Sequence, residues 1–115
     1  MARSYNKPTR KRLQKLTEIA HERELAGALQ KLHEQFGEWK AQKIDAFELN
    51  DHIHQFHQKT AREIWKMYIN AVNEDMLVAR ALKLGILTAD EVSEELVEQL
   101  GPLIDFWRDD SSDEN

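Results

Sequence analysis

Between Phe47 and Tyr68, in the segment FELNDHIHQFHQKTAREIWKMY, eight large apolar side chains are interspersed with polar residues and three of the five histidines. Asp45 followed by Glu48 has the form of a capping box, with Asp45 as N-cap. No Gly or Pro interrupts the chain from there to Asn73, so one long helix is expected. Stepped at ~100° per residue, Leu49, Ile53, Phe56, Ile64 and Met67 fall on one side. Asn50, His54, His57, Tyr68, Trp65 and Phe47 continue around from them. The remaining arc is charged and amide-rich, with His52 at its edge and Ile69 as the exception. The apolar arc is therefore roughly 180° wide, well beyond the ~100° stripe of an ordinary surface helix. Such a helix needs cover on more than one side and is expected at the centre of the fold. His54, His57, Asn50 and Tyr68 then lie in the core with hydrogen-bond partners, since an unpaired buried polar group costs about 1–3 kcal/mol.

The preceding stretch is also helical in pattern. Residues 1–8 read as a flexible basic arm ending at Pro8, and Thr9 as the N-cap of a first helix over about Arg10–Lys40. Leu25, Leu29, Leu32, Phe36 and Trp39 form one stripe, whereas Leu13, Leu16, Ile19 and Ala20 project from the opposite side. Either the helix breaks near Arg23–Gly27, or it is continuous and its first half packs on something else, such as a second subunit. Gly27 costs only about 1 kcal/mol relative to Ala, which favours the continuous helix.

After a connection at Lys40–Ile44 and the central helix, which ends near Asn70–Asn73, a third helix is expected over about Glu74–Leu84, stopped by Gly85. Ile86 and Leu87 pin the link to the core. Thr88 and Glu91 form a second capping box. A helix carrying Val92, Leu96, Val97 and Leu100 starts there or at Ser93, and Gly101-Pro102 interrupts it. Leu103, Ile104, Phe106 and Trp107 read as a last docked turn or short helix. The acidic segment 109–115 reads as a disordered tail. No alternating run suggests a strand. The fold class is all-α: a small helical bundle with two long antiparallel helices and two or three shorter C-terminal ones, forming one domain over residues 9–108.

Charge adds one feature. The net charge of −5 is uneven. The first fifteen residues hold six bases (Arg3, Lys7, Arg10, Lys11, Arg12, Lys15) and no acid, leaving ten bases and twenty-one acids for the rest. A basic arm on an acidic body can touch nucleic acid, a membrane surface, an acidic protein or its own body. No nucleic-acid-binding motif accompanies it, and the acidic body opposes phosphate, so nucleic acid is the third choice of partner. The chain has no cysteine, which removes disulfides and thiolate metal sites and suits the cytoplasm. No apolar run reaches the ~18 residues of a membrane span.

Candidate chemistry rests on histidine. A carboxylate three residues before a histidine puts two ligands on one helix face, and Glu18–His21, Asp51–His54 and His54–His57 have that spacing. Glu18, His21, His54 and His57 are the candidate metal ligands, with zinc the least demanding ion. The second pair of carboxylates that a di-iron site needs is not identifiable. A general base at His54 or His57 beside Tyr68 is conceivable, but no nucleophile with a visible partner, phosphate loop or HExxH motif is present, so no enzyme is expected and no cofactor is assigned. Self-association is the most economical reading. Leu13, Leu16 and Ile19 lack an obvious partner within the chain, and Phe47 and Trp65 stand at the far edge of the central helix. These five are the candidate interface. The rival is cover by the segment holding Phe106 and Trp107.

The segments DAFELNDHIHQFHQKTAREIWKMY and VARALKLGIL resemble short all-helical bacterial proteins of no assigned function. The resemblance covers about half of the chain and implies a bacterial origin and an independently folding helical unit, with no residue role to carry over. Together these features point to a helical protein-interaction or dimerisation module. The alternatives are a metal- or small-ligand-binding bundle and nucleic-acid contact through the basic arm.

Overall fold

A computed structural model describes residues 5–69 and 73–112, with side-chain surroundings up to residue 107. All regular structure among these residues is helical, and no strand occurs among them. The elements are α1 (Lys7–Lys40), α2 (Ala46–Gln55), a π-helical turn (Phe56–Thr60), α3 (Ala61–Ile69), α4 (Glu74–Leu84), α5 (Ala89–Val92), α6 (Glu94–Gln99) and α7 (Gly101–Ser112). The chain divides into two compact units, residues 21–70 and the remainder, where the sequence suggested one domain over residues 9–108.

The discontinuous unit combines the first two turns and more of α1 with α4 to α7. α1 starts earlier than expected. Asn6, not Thr9, caps it: the Asn6 side chain accepts from the Thr9 N–H at 2.9 Å. Lys7 and Pro8 therefore lie in the helix rather than in an arm, and Pro8 sits in the first turn, where its missing N–H costs nothing. α1 then runs without a break for 34 residues. α4 ends as its sequence dictates. Gly85 takes a left-handed φ of 77°, and Ile86 and Gly85 donate back to Ala81 and Leu82, a Schellman closure. Thr88 and Glu91 complete the capping box of α5 in both directions. Ser93, at φ 98°, then re-aims the chain and caps α6 through its hydroxyl. Both proposed starts are thus used, as two short helices. Gly101-Pro102 ends this run and opens α7, which continues through Asp109–Ser112 instead of stopping after a docked turn. α7 packs on α4, and the Trp107 indole N–H donates to the Met76 carbonyl at 3.2 Å. Leu16, Val78, Leu87, Val92 and Leu100 are the largest fully buried side chains. Most of the core is here, not around residues 45–69.

The second unit holds α1 from His21, the link at residues 41–45, α2, the π-turn and α3. Asp45 caps α2 as expected, accepting from the Glu48 N–H at 2.8 Å. Its only buried residues among those described are Leu49, Ile64 and Tyr68. The expected 180° apolar arc is not buried, and the π-turn gives the reason. The Ala61 N–H reaches back five residues to the Phe56 carbonyl. A π-turn amounts to one inserted residue, which sets the downstream face back by about 100°. Leu49 and Phe56 are seven residues apart and in phase, whereas Phe56 and Ile64 are eight apart and fall in phase only because of the insertion. Two narrow stripes, overlaid on a uniform wheel, mimic one wide arc. His54, His57 and Asn50 lay inside that arc only on paper. All three are exposed, and the expected core histidines are corrected accordingly.

Candidate functional site

Tyr68 is the one polar member of the expected core that is buried, at 6 % exposure. Its hydroxyl donates to Glu24 Oε1 at 2.7 Å, and its ring stacks on the His21 imidazole, with centroids 4.6 Å apart and planes 5° from parallel. His21 and Glu24 are three residues apart on α1 and so share a face. A carboxylate acceptor makes a stronger hydrogen bond than a neutral one, so this node fixes α3 against α1 within the unit. Glu24 was missed from sequence; its spacing from His21 was the available signal.

The four candidate metal ligands do not converge. Glu18 is exposed in one unit, while His21, half-buried, and the exposed His54 and His57 belong to the other. His54 points away from the buried Leu49 and the half-buried Phe56 that follows α2, because five and two residues separate it from them. Among the described residues no group of three or more His, Asp or Glu side chains could hold a metal ion. Glu18 instead lies beside Glu74 at the start of α4. Burial raises the Glu74 carboxyl above its ordinary value of 4.5, and the like charge of Glu18 adds to the effect.

The candidate interface divides. Leu13 and Leu16 are 3 % and 1 % exposed within this chain, and Ile19 is half-buried. Their cover comes from their own unit, so these two leucines offer nothing to a partner. The Thr17 hydroxyl beside them is also satisfied, donating to the Leu13 carbonyl at 2.7 Å. Phe47 and Trp65 remain outside, at 82 % and 55 % exposure. Leu29, Phe36, Trp39, Ile53 and Ile69 are exposed in the same 21–70 unit. Seven large apolar side chains thus face out of a unit that buries three among its described residues.

On the first turns of α1, Lys7, Lys11 and Lys15 are exposed at four-residue spacing. Arg12 is committed to structure, donating to the Glu91 carbonyl, as is Tyr5, whose hydroxyl donates to Asp75 at 2.9 Å. An open cleft of about 280 Å³ between the starts of α1 and α6 is lined by Asn6, Thr9, Arg12, Ser93, Glu95 and Gln99. It mixes a cation with a carboxylate and selects for neither charge. Among the described residues, no helix is long and apolar enough to cross a membrane. No protein-family model matches the chain, and no curated protein or solved structure matches it either.

Proposed function

We propose that the chain is a non-enzymatic interaction protein whose 21–70 unit is the binding element. In this reading the unit is an antiparallel pair, with α1 from His21 against α2, the π-turn and α3. The five-residue link at 41–45 and the return of Tyr68 to His21 and Glu24 support that pairing. The observation that carries the function is the outward apolar surface of Leu29, Phe36, Phe47, Ile53, Trp65 and Ile69. Soluble monomers rarely leave contiguous apolar patches larger than a few hundred Å², and a two-helix unit has too little interior to hide them. The function is then to present this surface to another protein, its own copy included.

Photocrosslinking in cells tests the reading. A photoreactive residue in place of Trp65 is expected to give discrete protein adducts, and the same residue at Glu94, exposed in the other unit, none. Absence of adducts at position 65, repeated at positions 36 and 53, would overturn it.

A further inference from the structure

Within α1, Glu22, Ala26, Leu29, His33, Phe36 and Lys40 are all exposed. The gaps between them alternate four and three, the spacing that keeps a line of side chains on one seam of a helix. This seam lies about a quarter turn round from the half-buried line of His21, Leu25, Ala28 and Leu32. α1 therefore has two usable faces in this unit, one turned inward and one outward.

Resting on the interaction reading above, we infer that the partner is a second copy of this chain, docked antiparallel along the Glu22–Lys40 seam about a two-fold axis at the level of Lys31. Residues equidistant from Lys31 then meet. Glu22 faces the partner's Lys40, so the two ends of the seam carry opposite charges that pair twice. Ala26 faces the partner's Phe36, a small residue against a large one, and Leu29 faces the partner's His33. A parallel docking would set Glu22 on Glu22 and Lys40 on Lys40.

The second helix of the unit widens the same surface. Ile53 lies about a seventh of a turn beyond the Leu49–Phe56 line, and Trp65 and Ile69 a quarter to a third of a turn beyond the Ile64–Tyr68 line. Leu29 and Phe36 are offset by about a sixth of a turn, in the same rotational sense, from the inward line of α1. In an antiparallel pair, offsets of the same sense fall on the same side. Leu29, Phe36, Ile53, Trp65 and Ile69 are 37–55 % exposed. At about 150–250 Å² for the larger side chains, they leave on the order of 450 Å² of apolar surface open. Ala26, His33 and the stems of Glu22 and Lys40 bring the face toward the ~800 Å² that each partner contributes to a standard interface. Two such pairs face to face make a four-helix bundle, which gives each two-helix unit the core it lacks alone.

Sedimentation equilibrium on the full chain, with Glu22→Lys, Lys40→Glu and the double reversal, tests the inference. Wild type is expected to dimerise. Each single reversal opposes like charges twice across the axis and should weaken dimerisation about tenfold, while the double reversal should return it to within about threefold of wild type. Both substituted residues are on the surface, and circular dichroism checks that each of the three variants remains folded. A wild type that stays monomeric at several hundred micromolar overturns the inference, as does a dimer whose affinity ignores the single reversals or falls further in the double. A monomer whose Trp65 position still crosslinks to a different protein removes the second copy and leaves the interaction reading standing. A monomer with no adducts removes both.

Discussion

The π-turn at Phe56–Thr60 predicts an asymmetry between adding and removing a residue. If it is one residue more than an α-helix needs, deleting Gln58, which is exposed, converts it to an α-turn. Phe56 and Ile64 then stand seven apart, in phase without the insertion, and Tyr68 still reaches Glu24. The expected cost is below about 1 kcal/mol, since only an exposed side chain and a non-standard turn are lost. Inserting one alanine after Gln58 has the opposite consequence. Everything downstream rotates by a further ~100°. Ile64 and Tyr68, at 7 % and 6 % exposure, leave their contacts, each worth about 1.5–3 kcal/mol of burial. The Tyr68–Glu24 bond goes as well, for about 1 kcal/mol or more. The insertion should therefore cost about 4–7 kcal/mol, enough to unfold a unit with so small a core. Urea unfolding followed by circular dichroism measures both variants. A deletion as damaging as the insertion would show that the extra residue is not what brings the two stripes together.

Two further outcomes follow from individual contacts. Tyr68→Phe keeps the ring on His21 and removes only the hydroxyl; with Glu24 half-buried, the loss should be about 1–2 kcal/mol in urea unfolding. A change within about 0.5 kcal/mol, as for an ordinary surface residue, would mean the bond to Glu24 contributes nothing. Glu74 should make the chain less stable as pH rises. Its carboxyl holds its proton more tightly folded than unfolded, so the folded state has the proton advantage near pH 4.5 and loses it as pH climbs through the raised value. Glu74→Gln should flatten that part of the stability profile and Glu18→Gln should shrink it; an unchanged slope in unfolding titrations from pH 4 to 7 would contradict the assignment.

What the sequence made legible was local. Asp45, Gly85 and the Thr88–Glu91 pair set helix ends through contacts spanning at most five residues, and each acts in the structure as its residue type requires. The continuity of α1 was readable for the same reason. What failed was anything that depended on accumulated phase or on a distant neighbour. A uniform step per residue carries no sign of the π-turn, so His54 and His57 were drawn into a core they do not enter. A helical wheel also shows which side Leu13 and Leu16 take, but not that α4 to α7 share their unit. Among the described residues the candidate metal ligands are not brought together, and Leu13 and Leu16 of the candidate interface are buried within the chain. Phe47 and Trp65 are exposed, as their place at the far edge of the helix suggested.

The discontinuous unit has a consequence during synthesis. Leu13 and Leu16 leave the ribosome well before the rest of the core they join, which runs to Leu100. At ~5–20 residues per second, Leu16 waits roughly 4–17 s before Leu100 has been added. The 21–70 unit is contiguous in sequence and can close in that interval. The nascent chain thus carries an uncovered leucine strip ahead of a unit that can already be closed, so the last helices, not the first, complete the core.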